Sequence, residues 1–173
     1  PTSSSAASDV YKRQILERSR SASERNHDIE ARVRLERALI GAVPEEMVGS
    51  ELRWCVDRLN AISGGSSVHG LALLNLATWH ANRGELMMAL ATHSEISVNN
   101  GHPLDINSLS RLEVGRILSS MNDHGPAMRH LWSARSGFIE LGMSPEAIAA
   151  SLEWLDLALD DICLLYTSPS PRD

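Results

Sequence analysis

Apolar residues recur at helical spacing along almost the whole chain, and no stretch alternates as a half-buried strand would. Glycine and proline punctuate this pattern into seven predicted helices. The first spans roughly residues 28–42, with Val33, Leu35, Leu39 and Ile40 on its apolar side. Pro44 suits the first turn of a second helix, because the N–H it lacks has no partner there anyway. That helix carries Met47, Leu52, Val56, Leu59 and Ile62 and ends in the flexible connector Ser63 to Ser67. The third is expected over about 68–82 and the fourth over about 85–98, with Gly84, Gly101 and Pro103 as breaks. Asp105 or Asn107 is the expected cap of the fifth, which ends near Asn122. Gly125-Pro126 starts the sixth, and Gly142 ends it. Ser144-Pro145-Glu146 opens the seventh with a cap oxygen, a pre-set proline and an acid near the positive helix end. The seventh is expected to run to about Asp161. Short connections force neighbouring helices antiparallel, so the chain reads as helical hairpins.

The hairpins repeat. Leu73, Leu76, Ala77 and His80 recur as Arg111, Val114, Gly115 and Leu118. Ala89, His93 and Ile96 recur as Ala127, Leu131 and Ala134, at the same offset that leads from Leu73 to Arg111. Two of these positions have a plain physical need. Ala77 and Gly115 are small where the first helix of a hairpin meets the second. Ala89 and Ala127 are small on the facing helix. Small residues there let two helix axes approach closely.

Leu73 to Ile96 and Arg111 to Ala134 together resemble the tetratricopeptide repeat family. That family places a large apolar residue, Leu, a small residue and an aromatic on the first helix, then Ala, a large apolar residue and Ala on the second. Trp154, Leu157 and Ala158 could open a third copy at a longer offset. Two features depart from the family. Arg111 stands where a large apolar residue is usual, and the period exceeds the family's, about 34 residues. The resemblance implies an all-α fold of antiparallel hairpins stacked as a short right-handed α-solenoid. It implies a repeat region over 44–162, with the best repeats at 69–102 and 105–142 and a partial third from 144. A charged helical segment, 15–43, precedes it. In the family, a concave groove lined by the first helices binds peptides. By the matched register its outward side chains here are Asn75, Thr78 and Asn82, then Glu113, Arg116 and Ser120. Asn75 could bond a peptide backbone as donor and acceptor. Arg116 could hold a carboxylate by paired hydrogen bonds.

Both termini carry a different signature. Asp9 to Gln14 back-translates to GAT GTG TAT AAG AGA CAG, and Cys163 to Ser168 to its reverse complement, TGT CTC TTA TAC ACA TCT. Both resemble translated transposase-type sequencing adaptor. Residues 1–14 and 163–173 are therefore expected to be non-native tails, and 15–162 a fragment internal to a longer protein. Each hairpin of a repeat array is marginal alone. Apolar exposure on the seventh helix and marginal stability follow for a cut fragment.

Without the tails, Cys55 is the only cysteine, which excludes an internal disulfide or a cysteine metal cluster and fits a reducing, cytoplasmic setting. The formal net charge of the 173 residues is −6, and no basic stripe crosses the repeats, so nucleic-acid capture is not expected. Arg18, Arg20, Arg25, Arg32, Arg34 and Arg37 cluster, but Glu17, Glu24, Asp28, Glu30 and Glu36 interleave them as on a solvated helix face. The longest apolar stretch, Gly70 to Ala81, is broken by Asn75, Thr78 and His80, so no membrane contact is expected.

None of the seven histidines sits in an HExxH or zinc-finger pattern. His80 and His93 could meet across a hairpin, though both read first as packing residues. Trp54, Trp79, Trp132 and Trp154 read as core or inter-hairpin packing. The Ser63 to Ser67 connector lacks the spacing of a phosphate loop or a nucleophile elbow. Glu45-Glu46 and Asp160-Asp161 look solvated at helix ends. No nucleophile, base and orienting group can be named together. The expectation is a non-catalytic protein–protein interaction scaffold, without metal or cofactor, that holds a peptide or helix of a partner. The rival is a sensor or regulatory segment of a multidomain transcription regulator or signalling ATPase, binding a small effector or a sister domain.

Overall fold

A computed structural model describes residues 27–167. The expected tail 1–14 lies outside the described residues, as do Arg18, Arg20, Arg25 and positions 168–173. Within the described residues the chain is all-helical. α1 covers 27–39. α2 is Glu45–Ser63, α3 Ser67–Asn82, α4 Leu86–Ser94, α5 Leu104–Ser120, α6 His124–Glu140 and α7 Ser144–Thr167, with a 3-10 turn at Val98–Asn100 before α5. The chain divides into two compact units at Gly64/Gly65, inside the Ser63 to Ser67 connector.

In the first unit, α1 buries Ala31, Leu35 and Ala38, and α2 buries Leu52, Cys55, Val56 and Leu59. Burial pushes the Cys55 thiol up to about 11, with Glu51 adding to the rise, so it is no ready nucleophile. Its Sγ donates to the Ala31 carbonyl, as a small buried cysteine does. Arg34 lies 4.1 Å above the Trp54 ring. Val33, Leu39 and Ile40, expected on an apolar side, are exposed.

In the second unit, α3 packs on α4 and α5, α4 on α5, α5 on α6, and α6 on α7. Ser66 caps α3 by accepting from the His69 N–H at 3.2 Å. Gly65 stands at φ 80°, and a Cβ there would strike the Asn100 carbonyl, so only glycine fits. α4 stops at Ser94 instead of continuing to Val98. Ser97 Oγ accepts from the Asn99 N–H at 3.1 Å, which offers the backbone a tight turn in place of helix. Pro103 takes the cap position of α5. Asp105 therefore falls within the first turn, and Asn107 is buried inside the helix rather than capping it. Asn122, at φ 60°, turns the chain into α6. α6 begins at His124, just before the expected Gly125-Pro126. α7 passes Asp161 and continues to Thr167, since no proline or glycine interrupts it before Pro169.

The small positions of the repeat are all buried. Ala77, Ala89 and Ala127 are fully covered, and Gly115 is buried too. A Cβ on Gly115 would lie 2.7 Å from Leu131 Cγ and 3.4 Å from the Ala127 carbonyl. Gly137 makes a second close approach, to Ser108 of α5. Around these contacts Leu112, Leu131, Phe138, Ala150 and Leu157 form one core across α5, α6 and α7. The apolar exposure expected on α7 is present: Ile148, Leu152, Leu155, Leu159 and Ile162 form a solvent-facing stripe. No helix among the described residues is long and apolar enough to cross a membrane.

Candidate functional site

The six groove candidates fall on two helices. On α3, Asn75 Nδ2 donates to the Leu71 carbonyl at 2.8 Å, and Thr78 Oγ1 to the Leu74 carbonyl at 2.9 Å. Asn82, the last residue of α3, is exposed. On α5, Ser120 Oγ donates to the Ile117 carbonyl at 2.6 Å. Asn75, Thr78 and Ser120 thus turn their donors back on their own helices.

Glu113 and Arg116 are brought together, one turn apart on α5. Arg116 Nη1 donates to Glu113 Oε1 at 2.6 Å. Its remaining edge grips Glu153 of α7, with Nη2 to Oε1 at 2.6 Å and Nε to Oε1 at 3.0 Å. Hydrogen bonding to Glu153 raises the Arg116 pKa, so the guanidinium stays charged. A cleft of about 320 Å3 opens beside this clamp, lined by Ser119, Ser120, Asp156, Leu157 and Asp160. Arg116 bonds Glu113 and Glu153, and the residues lining the cleft include the acids Glu153, Asp156 and Asp160. The local charge is negative, and the guanidinium expected to hold a partner's carboxylate already holds two of the protein's own.

A second cluster lies between α4, α5 and α6, around a cavity of about 530 Å3. His93 of α4 and Ser110 of α5 are buried and hydrogen-bonded, Nδ1 to Oγ, at 3.0 Å. Burial lowers the His93 pKa to about 4, so the ring is neutral at physiological pH. Asn107 Nδ2 donates to the Ile96 carbonyl at 3.4 Å, and its Oδ1 accepts from Arg111 Nε at 3.2 Å. His130 of α6 closes the rim with its Nδ1 buried and unpartnered. Burial lowers the His130 pKa, and the charges of Arg111 and Arg129 lower it further.

His80 and His93 do not pair. His80 Nδ1 bonds Glu85 Oε2 at 2.6 Å, while His93 turns to Ser110. A different pair forms instead. His102 Nε2 lies 3.1 Å from His69 Nδ1, which also accepts from the Gly65 N–H. This contact spans 33 positions, and its residues share no motif that would announce it. No cluster of three metal-ligating side chains occurs among the described residues. The tryptophans stack on arginines or on each other: Arg83 over Trp79, Arg135 over Trp132, and Trp132 against Trp154 at 5.6 Å. Trp132 is half exposed, so it covers the core rather than filling it.

No sequence motif marks the cavity residues as a site. One sequence signal points to them: Arg111 stands at the repeat position where Leu73 is fully buried. Comparison with known proteins leaves the reading to this geometry, since no family model, no curated protein and no solved structure matches the chain.

Proposed function

We propose that this chain is a non-catalytic helical-repeat binding module, similar to tetratricopeptide arrays, that holds a basic peptide or helix of a partner protein against α5 and α7. The observation that carries this reading is the Arg116–Glu153 clamp. It links α5 to α7, the first helices of two proposed repeats, and leaves an acid-rich face beside the cleft. Lys and Arg side chains on a partner would complement Glu113, Asp156 and Asp160, and the cleft wall at Leu157 offers some apolar contact. The stacked arrangement is further supported by the burial of Ala77, Ala89, Gly115 and Ala127.

The test uses two labelled amphipathic peptides that differ only in charge, one with lysine and one with glutamate on the polar face. Fluorescence anisotropy should show the lysine peptide binding, more weakly as salt rises. Asp156→Asn with Asp160→Asn should weaken it about tenfold while the fold is unchanged. Equal affinity for both peptides, or binding indifferent to the double substitution, would refute the reading.

A further inference from the structure

We propose that the cavity between α4, α5 and α6 is a separate binding site for a small amphipathic anion, gripped by the free edge of the Arg111 guanidinium. This does not depend on the peptide reading, because Arg111 and Arg116 point to different faces of α5, roughly 140° apart at about 100° per residue.

Three observations carry it. The first is the substitution within the repeat. At the position of the fully buried Leu73, the second hairpin puts a half-buried arginine. Asn107 and Ser110, which line the cavity on the same helix, are also polar and buried. Each buried polar group needs a partner, so together with Arg111 they give the cavity a polar wall where the first hairpin has apolar packing at Leu73.

The second is the wiring of Arg111. Its only hydrogen bond among the described residues is from Nε to Asn107 Oδ1. Asn107 is itself held through Nδ2 by the Ile96 carbonyl. The side chain is thus braced at Nε, while both terminal nitrogens remain without a protein acceptor, and no carboxylate pairs with it. A planar fork with two free nitrogens matches the two oxygens of a carboxylate or phosphate.

The third is the space. A volume of about 530 Å3 lies within the usual range for small-molecule sites, about 300–1,000 Å3. Leu90, Val114, Leu118 and Pro126 give it apolar walls, while Ser94, Ser110 and His130 add polar ones. The buried Nδ1 of His130 has no partner among the described residues and offers a further hydrogen bond. The fitting ligand has a compact apolar body and one anionic head.

Benzoate and phenyl phosphate serve as probes for the two head groups, with uncharged benzamide as the size control. Calorimetry and ligand-detected NMR on the whole chain read the binding. At least one anion should bind with millimolar affinity or better, and benzamide at least tenfold more weakly. Arg111→Leu should abolish anion binding while the chain stays folded, its melting point lowered only by the lost bond to Asn107 Oδ1. Arg111→Lys, which keeps the charge without the fork, should bind with intermediate strength. The proposal is overturned if neither anion binds up to about 10 mM. It is also overturned if Arg111→Leu and Arg111→Lys both bind as tightly as the parent, which would make Arg111 a solvated surface cation only.

Discussion

The two hairpins of the second unit follow one pattern and use it differently. In α3 the inward residues Leu73, Leu76 and Ala77 are almost wholly buried and apolar, apart from His80, which is bonded to Glu85. In α5 the matching stretch keeps Val114 and Gly115 but substitutes Arg111, with Asn107 at the place of the equally buried His69, and Ser108 and Ser110 where α3 has Gly70 and Ala72. The small positions are buried in both hairpins, whereas the large ones differ.

The sharpest way to break this comparison is to exchange the residues. Leu73→Arg puts an unpaired cation into a fully buried site, where α3 has nothing like Asn107 or the cavity to receive it. The expected loss is about 4 kcal/mol or more, read by urea denaturation of the second unit. A loss below about 1 kcal/mol would mean the two positions are equivalent after all. The reverse exchange, Arg111→Leu, is expected to cost only the bond to Asn107 Oδ1, about 1 kcal/mol, so the pair should behave asymmetrically.

A smaller effect is read through pH. His93 is neutral when folded, with a pKa near 4 against 6.5 in the unfolded chain. Below pH 6.5 the unfolded chain takes up a proton that the folded chain refuses. Stability present above pH 6.5 should therefore fall toward pH 4, by about 2–3 kcal/mol from this residue. The pKa values of His69 and His130 are also lowered, and both drive stability in the same direction. His93→Gln should flatten the pH profile of denaturation without removing its slope. A profile identical to the parent's would show that His93 is not buried in its neutral form.

The least effect is expected at the clamp. The Arg116 and Glu153 side chains are 44% and 32% exposed, and solvent-screened ion pairs contribute roughly 0–1 kcal/mol. Arg116→Ala should change the melting point by only a degree or two. It should nevertheless strengthen binding of the lysine peptide, because it unmasks two carboxylates. Weaker binding of that peptide would show that Arg116, rather than the acids around it, makes the contact.

Helix number and most breaks were legible because glycine, proline and capping residues act locally. Gly84, Gly101 and Gly142 all adopt positive φ, as their places after apolar runs required. α4 ends short of its apolar pattern, which extends past Ser94, because Ser97 and Asn100 pull the backbone into a turn through side-chain bonds. The groove candidates were placed on their helices by periodicity alone. Periodicity carries no information on partners, so the capture of Arg116 by Glu153, 37 positions away, was invisible.

Sequence alone determined the helical class, the hairpin punctuation and the small residues at Ala77, Ala89, Gly115 and Ala127, because each depends on neighbours within a few turns. The cavity around Arg111, the His69–His102 pair and the Arg116 clamp were decided only when separate helices packed. Those features depend on the distance between side chains far apart in the chain. That distance is set by the fit of whole helix surfaces, which no single segment contains.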